Sequence, residues 1–331
     1  MAEPPLPRCR RPLEVFKRFS GNPILKPLRG SPWESRRVFN CAAFYERGRI
    51  HRVYWAQGED NISRLGYAST SDGFHIEERL KHPIFQPSSS RFEMYGCEDP
   101  RLTKLNGKLY MTYTAYGRTL RWRKTSKLRL AQIGLTWISL KDFLEKRWRW
   151  GPRIYPLPYV DDKNCVLFPE KFDGKYVMYH RIPPHIWISY SASLEDWSKS
   201  FHRIVMQPQE EWEWVKIGSG APPIKLGEGW LLIYHGVDRY FNYRLGLALI
   251  SKDDPENIVK LRVPVLEPKE PYEKTRNGQG IVFTCGAVPL DGEIIVYYGG
   301  ADRVVGAAKA DISELLSLFE KKKLVSPAKQ F

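Results

Sequence analysis

One pattern recurs five times along the 331 residues: a glycine, then an alternating apolar strand that ends in an aromatic followed by small or polar residues. The copies are GRIHRVYWA (48–56), GKLYMTYTAY (107–116), GKYVMYHRI (174–182), GWLLIYHGV (229–237) and GEIIVYYGG (292–300). Successive glycines are 59, 67, 55 and 63 residues apart. Alternation of this kind marks strands with one face in a core. Four of the turns ahead of the copies (Asn106-Gly107, Asp173-Gly174, Gly227-Glu228-Gly229 and Asp291-Gly292) are tight-hairpin sequences. Asx and glycine residues accept the positive φ that such turns impose.

Another strand precedes each copy, as in RVFNCAAFYE, CEDPRLTKL, KNCVLFPEKF, SGAPPIKL and TCGAVPL, and a third follows it, as in SRLGYASTSDG or YRLGLALISKDD. A repeat of roughly 60 residues with three strands and room for a fourth must stack on its neighbours to bury its faces. The spacing predicts an all-β chain, a five-bladed β-propeller formed as one domain over residues 1–331. A solenoid has shorter repeats, and a sandwich gives no reason for five copies. Residues 1–20 read as an N-terminal extension. Residues 311–331 read as a tail outside the blades, with an amphipathic helix over DISELLSLFEKKK carrying Ile312, Leu315, Leu316 and Leu318.

Composition narrows the class. Charged residues at 27% and hydrophobic ones at 42% suit a globular chain with a sizeable core. Aromatics at 13% point first to a sheet-rich core, and second to a cleft in which sugar faces stack on rings. The five cysteines form no CxxC pair, and the N-terminus has no secretory apolar segment, so a reducing cytoplasm is expected. No run of apolar residues is long enough to span a membrane. The net charge of +15, with basic clusters at 9–17, 118–130 and 145–153, can mark a nucleic-acid surface or a solvated one. No nucleic-acid motif accompanies it, so an anionic small substrate is the alternative. No His/Cys/carboxylate set has metal-ligand spacing, and no metal is expected.

In a propeller the strand before each hairpin lines the axis. The entrances of these strands carry Asn40, Glu98-Asp99, Lys163-Asn164, Lys216 and Gln279. Polar residues at equivalent points of five blades converge on one pocket. Two adjacent carboxylates there, in YGCEDPRL (95–102), are costly to bury unless they are used or reached by water.

The longest motifs, GCEDPRLTKLNGKLYMTYTAY, KNCVLFPEKFDGKYVMYHR, KIGSGAPPIKLGEGWLLIYHGV and VFTCGAV, resemble glycoside hydrolase family 130 in order and spacing over nearly the whole chain. The resemblance implies an inverting β-mannoside phosphorylase. Such an enzyme cleaves β-linked manno-oligosaccharides with inorganic phosphate as co-substrate, reversibly, to give α-mannose 1-phosphate. It implies Asp99 as the sole catalytic acid, its proton relayed through the 3-hydroxyl of the mannose. It places phosphate on Lys163, Arg181, Lys216 and His235, and sugar hydroxyls on Asn40 and Asp302. Glu98 reads as a structural partner of Arg101 in the same turn. Trp55 stands where the family often has an arginine that holds sugar, and Arg64 is the nearby substitute. Tyr116 and Trp187 are candidate stacking rings. Cys41, Arg303 and the RNGQG segment also depart from the family pattern, so the chemistry is better supported than the glycan. Two rivals stay open: a β-mannosidase using water, and a non-catalytic propeller gripping anionic glycan or nucleic acid. The sequence also leaves a homo-oligomer open.

Overall fold

The computed structural model describes residues 12–118, 129–227 and 229–323. The chain is all-β apart from short helical turns and a C-terminal helix, Ile312–Lys323. Each sequence repeat becomes an antiparallel unit. The first comprises Arg37–Glu46, Arg49–Gln57, Ser63–Thr70 and the short Glu78–Arg79. The second comprises Gly96–Leu105, Lys108–Arg118 and Arg129–Ser139. A parallel bridge from Ser63 to Gly96 joins these two units into one sheet. The third unit is Lys163–Leu167, Tyr176–Arg181, Ile186–Ser191 and His202–Met206. The fourth is Lys216–Ser219 with Ile224–Leu226, then Gly229–Val237, Tyr243–Ile250 and Ile258–Lys260.

The fifth unit, Val282–Leu290, Glu293–Gly300 and Val304–Asp311, takes its outermost strand from the other end of the chain. Lys17–Arg18 pairs with Ala308 and Lys309. The expected N-terminal extension is therefore partly a sheet strand, and it ties the two chain ends together. The terminal helix begins at Ile312. It buries Leu315 and Phe319 against Val15, Phe16 and the fifth unit.

The first strands of the units pack on one another. Arg37–Glu46 lies against Gly96–Leu105 and against Val282–Leu290, Gly96–Leu105 against Lys163–Leu167, and Lys163–Leu167 against Lys216–Ser219. Between the sheets lie separate apolar clusters, for example Val166, Phe168, Tyr179, Trp230 and Leu232 between the third and fourth units.

One device recurs in every unit. A fully buried acid just ahead of the first strand bonds a buried ring on the second. Tyr54 donates to Glu34, Tyr113 to Glu93, Tyr234 to Glu213 and Tyr298 to Glu273, and in the third unit His180 Nδ1 lies 2.7 Å from Asp162. A cation completes each glutamate: Arg79, Arg153, Lys260 and Arg18 respectively. A buried carboxylate is tolerated because it is paired and hydrogen-bonded. These pairs fix where each first strand begins, and so where the residues at its entrance point.

Three of the four basic residues in the cluster at 145–153 find acids, Arg149 being the exception. Lys146, Arg147 and Arg153 pair with Glu78, Asp142 and Glu93. The stretch 119–128 lies outside the described residues.

Candidate active site

The first strands of the first three units are interrupted at the same place by a bulge, seen as register shifts at 39–42, 98–101 and opposite 179–181. The residue at the bulge has left-handed backbone in each: Asn40 (φ 45), Asp99 (φ 49) and Asn164 (φ 55). Asn and Asp tolerate this conformation better than other side-chain-bearing residues. A bulge re-aims a side chain out of the alternating pattern. Here it turns three short polar side chains toward one cavity of about 370 Å³.

Eight expected residues line that cavity: Asn40, Trp55, Asp99, Lys163, Arg181, Lys216, His235 and Asp302. Asn164, Asp161, Tyr243 and Phe283 line it as well. Of these, Asn164 carries a sequence signal, since KNC repeats the FNC of the first unit. Tyr243 and Phe283 look like ordinary strand aromatics. Arg64 and Tyr116 are not among the lining residues. Arg64 is held by Asp60 at 2.7 Å within its own hairpin, and the Tyr116 ring lies against Tyr95. Trp187 is also absent from the lining, its indole donating to the Ile182 carbonyl. Gln279 belongs to an adjoining cleft and donates to the Phe241 carbonyl.

Asp99 is buried, and its Oδ1 accepts from Asn40 Nδ2 at 2.7 Å, which leaves Oδ2 as the oxygen able to carry a proton. Arg101, almost fully buried, holds the backbone beneath it. Nη1 donates to the Asp99 carbonyl at 2.9 Å and Nε to the Gly220 carbonyl at 2.8 Å. Nη2 reaches the Ser219 carbonyl and Asn164 Oδ1, both at 3.2 Å. This corrects the expected Glu98–Arg101 pair. Glu98 instead accepts from Ser63 Oγ at 3.2 Å and faces Lys163 Nζ at 3.5 Å. The reason is the bulge, which separates adjacent residues 98 and 99 onto different neighbours.

The cations differ in character. Burial lowers Lys163, but the carboxylates of Glu98 and Asp99 outweigh it and hold the ammonium above the ordinary lysine value. Burial, with Arg181 and Lys163 nearby, pushes Lys216 down to about 8. Burial lowers Arg181, which stays charged at neutral pH because a guanidinium does not deprotonate there. Burial and then the charges of Arg181, Arg101 and Lys216 drive His235 well below its usual range, so the imidazole is neutral. Its Nε2 lies 3.4 Å from Asn164 Nδ2. The amide oxygen of Asn164 is taken by Arg101, so Nδ2 is the donor, Nε2 accepts, and the proton sits on Nδ1. Burial, followed by the Asp99 carboxylate, raises Asp302 to about 6.

Four polar atoms of these lining residues are buried with no partner: Asn40 Oδ1, Trp55 Nε1, Arg181 Nε and His235 Nδ1. Orphaned buried polar atoms each cost about 1–3 kcal/mol, so several around one cavity mark a site built to bind a polar ligand. One glycine is tied to this geometry. A Cβ at Gly299 would lie 2.1 Å from Asn40 Oδ1. Gly299→Ala is therefore expected to push Asn40 off Asp99 and lower kcat/KM by about tenfold, the equivalent of one lost buried hydrogen bond. Steady-state kinetics beside a thermal melt checks this: about tenfold lost activity with a melt lowered by only a few degrees is the expected result.

The sequence model of the family described as beta-1,4-mannooligosaccharide phosphorylase matches residues 10–321. A 1,2-beta-oligomannan phosphorylase from Thermoanaerobacter is 37% identical over 309 residues, covering 91% of this chain and 98% of that protein. A beta-1,4-mannooligosaccharide phosphorylase from Ruminococcus albus is 31% identical, covering 92% and 90%. Among solved structures, one described as "The GH130 family of mannoside phosphorylases contains glycoside hydrolases that target beta-1,2 mannosidic linkages in Candida mannan" aligns with a TM-score of 0.78 at 26% identity, over 93% of this chain and 96% of that one. With the family sequence model spanning nearly its full length, this chain belongs to glycoside hydrolase family 130.

Proposed function

We propose that the five units are the blades of a closed propeller, and that its axial cavity cleaves β-mannosides by phosphorolysis with inversion. Closure is supported by the fifth unit's first strand packing on that of the first, and by the acid–ring pair repeated in all five units. The activity is that of a β-mannoside phosphorylase. Asp99 Oδ2 gives its proton toward the glycosidic oxygen, by way of a mannose hydroxyl, while Asn40 fixes the other carboxyl oxygen. Phosphate sits against Lys163, Arg181 and Lys216, with His235 Nδ1–H as a neutral donor. Trp55, Asn40 and Asp302 hold the mannose.

The observation that carries phosphorolysis is the cation set. An inverting hydrolase needs a second carboxylate placed to activate water. Phosphate is already an anionic nucleophile, and needs only to be gathered and aimed. Three cations from two adjacent units, one with an orphaned guanidinium nitrogen, do that. Hydrolysis is the second reading, since the family includes hydrolases. Omitting phosphate separates the two: phosphorolysis stops, hydrolysis continues.

The pH dependence follows from two groups. An ionised Asp302 accepts from sugar hydroxyls and is lost as pH falls through about 6. A charged Lys216 holds phosphate and is lost as pH rises through about 8. The profile of kcat/KM is therefore bell-shaped between those values. Lys216→Arg keeps the charge at all working pH, so it is expected to move the alkaline limb upward and leave the acid limb in place. A limb unmoved by that change assigns it to another group.

A further inference from the structure

A second cavity of about 720 Å³ adjoins the first and shares Ile281 and Asp302 with it. None of the phosphate-side residues Lys163, Arg181 or Lys216 lines it, so it opens on the Asp302 side of the mannose position. Five basic side chains face it, Arg36, Arg37, Lys274, Arg276 and Arg303, against the single acid Asp302. All five are exposed. Elsewhere on this surface some exposed arginines find acids, as Arg147 does with Asp142 and Arg203 with Glu256, while Arg29, Arg47 and Arg149 stand singly with no ion-pair partner among the described residues. The cleft differs in gathering several such cations around one concavity. There only Arg36 finds an acid, Glu59 at 2.9 Å; the other four have no ion-pair partner among the described residues.

Their backbone is also fixed in advance. The 275–279 loop is closed by Thr275 N–H to the Gln279 carbonyl at 2.8 Å and Gly278 N–H to the Thr275 carbonyl at 2.9 Å, and Gly280 N–H docks it on Asn242 at 2.8 Å. Arg303 follows a tight turn in which Ala301 and Asp302 are both left-handed (φ 52 and 53) and Arg303 N–H returns to the Gly300 carbonyl at 3.0 Å. Unpaired cations held on rigid loops around a concave surface focus a positive potential at low entropic cost to an incoming anion.

We propose that this cleft is the subsite for the departing or accepting sugar, and that it selects an acceptor bearing an anionic group, a carboxylate or a phosphate ester. The inference rests on the phosphorylase reading above. In the synthetic direction the acceptor hydroxyl oxygen bonds to C1 of α-mannose 1-phosphate and the C1–O bond to phosphate breaks. Inorganic phosphate leaves and the hydroxyl proton passes to the Asp99 carboxylate. The acceptor's own anion remains on Arg276, Arg303 and Lys274.

The test supplies α-mannose 1-phosphate with D-mannose, D-mannuronate or D-mannose 6-phosphate as acceptor and follows phosphate release. At least one anionic acceptor is expected to exceed D-mannose about tenfold or more in kcat/KM at low salt. Mannuronate leading assigns a carboxylate, mannose 6-phosphate a phosphate ester. The anionic-to-neutral ratio should fall about tenfold in Arg276→Glu/Arg303→Glu and in about 0.5 M NaCl. Neutral mannose matching both anions, or a ratio unmoved by charge reversal, overturns the proposal. So does a variant that changes only the KM for α-mannose 1-phosphate, because the cations then merely steer phosphate. Calorimetric titration of the three sugars reads the cleft without turnover. Tighter binding of an anionic sugar, lost in the variant, keeps the cleft even if no acceptor reacts and the phosphorylase reading fails. Turnover of mannose without anionic preference does the reverse.

Discussion

Asp99→Asn is expected to leave a folded protein that binds sugar and phosphate but turns over about 10²- to 10⁴-fold more slowly, the range for removing a positioned general acid. The change is nearly isosteric and keeps an oxygen for the Asn40 amide, so the bulge at 99 and the Arg101 bonds to its carbonyl have no reason to shift. The KM for phosphate should change little, since the cations remain. A kcat loss below about tenfold would mean that the proton comes from elsewhere, with Asp161 and Asp302 the other carboxyls lining the cavity. Equal losses in kcat and in sugar affinity would make Asp99 a binding residue.

Arg181→Met is expected to raise the KM for phosphate by about 10²-fold or more, with a smaller change in sugar affinity. Removing one partner of a buried charge-assisted contact costs about 2–5 kcal/mol. Among the cations lining the cavity, Arg181 is buried with an unpartnered donor, whereas Lys163 is already engaged by Glu98. Arg181→Lys should recover part of the loss, because it restores charge without the fork that grips two oxygens. If Arg181→Met left the phosphate dependence untouched, the proposed cradle would be misplaced.

Much of this site could be read from the residues. The hairpin repeat put Asn40, Asp99, Lys163 and Lys216 at equivalent strand entrances, and the structure lines one cavity with all four. What the repeat could not show was the bulge. Alternation assigns side chains to faces two by two, and a single extra residue reverses that assignment. Glu98 consequently faces Lys163 instead of Arg101. The buried glutamates were hidden for a different reason, since they sit in turns that read as polar loops. Glu34, Glu93 and Glu213 do stand six residues ahead of Asn40, Asp99 and Ser219, a signal in the sequence. Glu273 and Asp162 break that spacing, which obscures the set. His235 was legible by position but not by charge, because its neutrality comes from burial beside three cations that distant segments supply. Arg64 stands outside the cavity lining because a carboxylate four residues before it, Asp60, holds its guanidinium within the hairpin.

The most direct measurement follows products by phosphorus NMR while a β-linked manno-oligosaccharide is incubated with and without inorganic phosphate. The account predicts α-mannose 1-phosphate from the first turnovers, formed only when phosphate is present and absent with Asp99→Asn. Free mannose released at the same rate in phosphate-free buffer would contradict it.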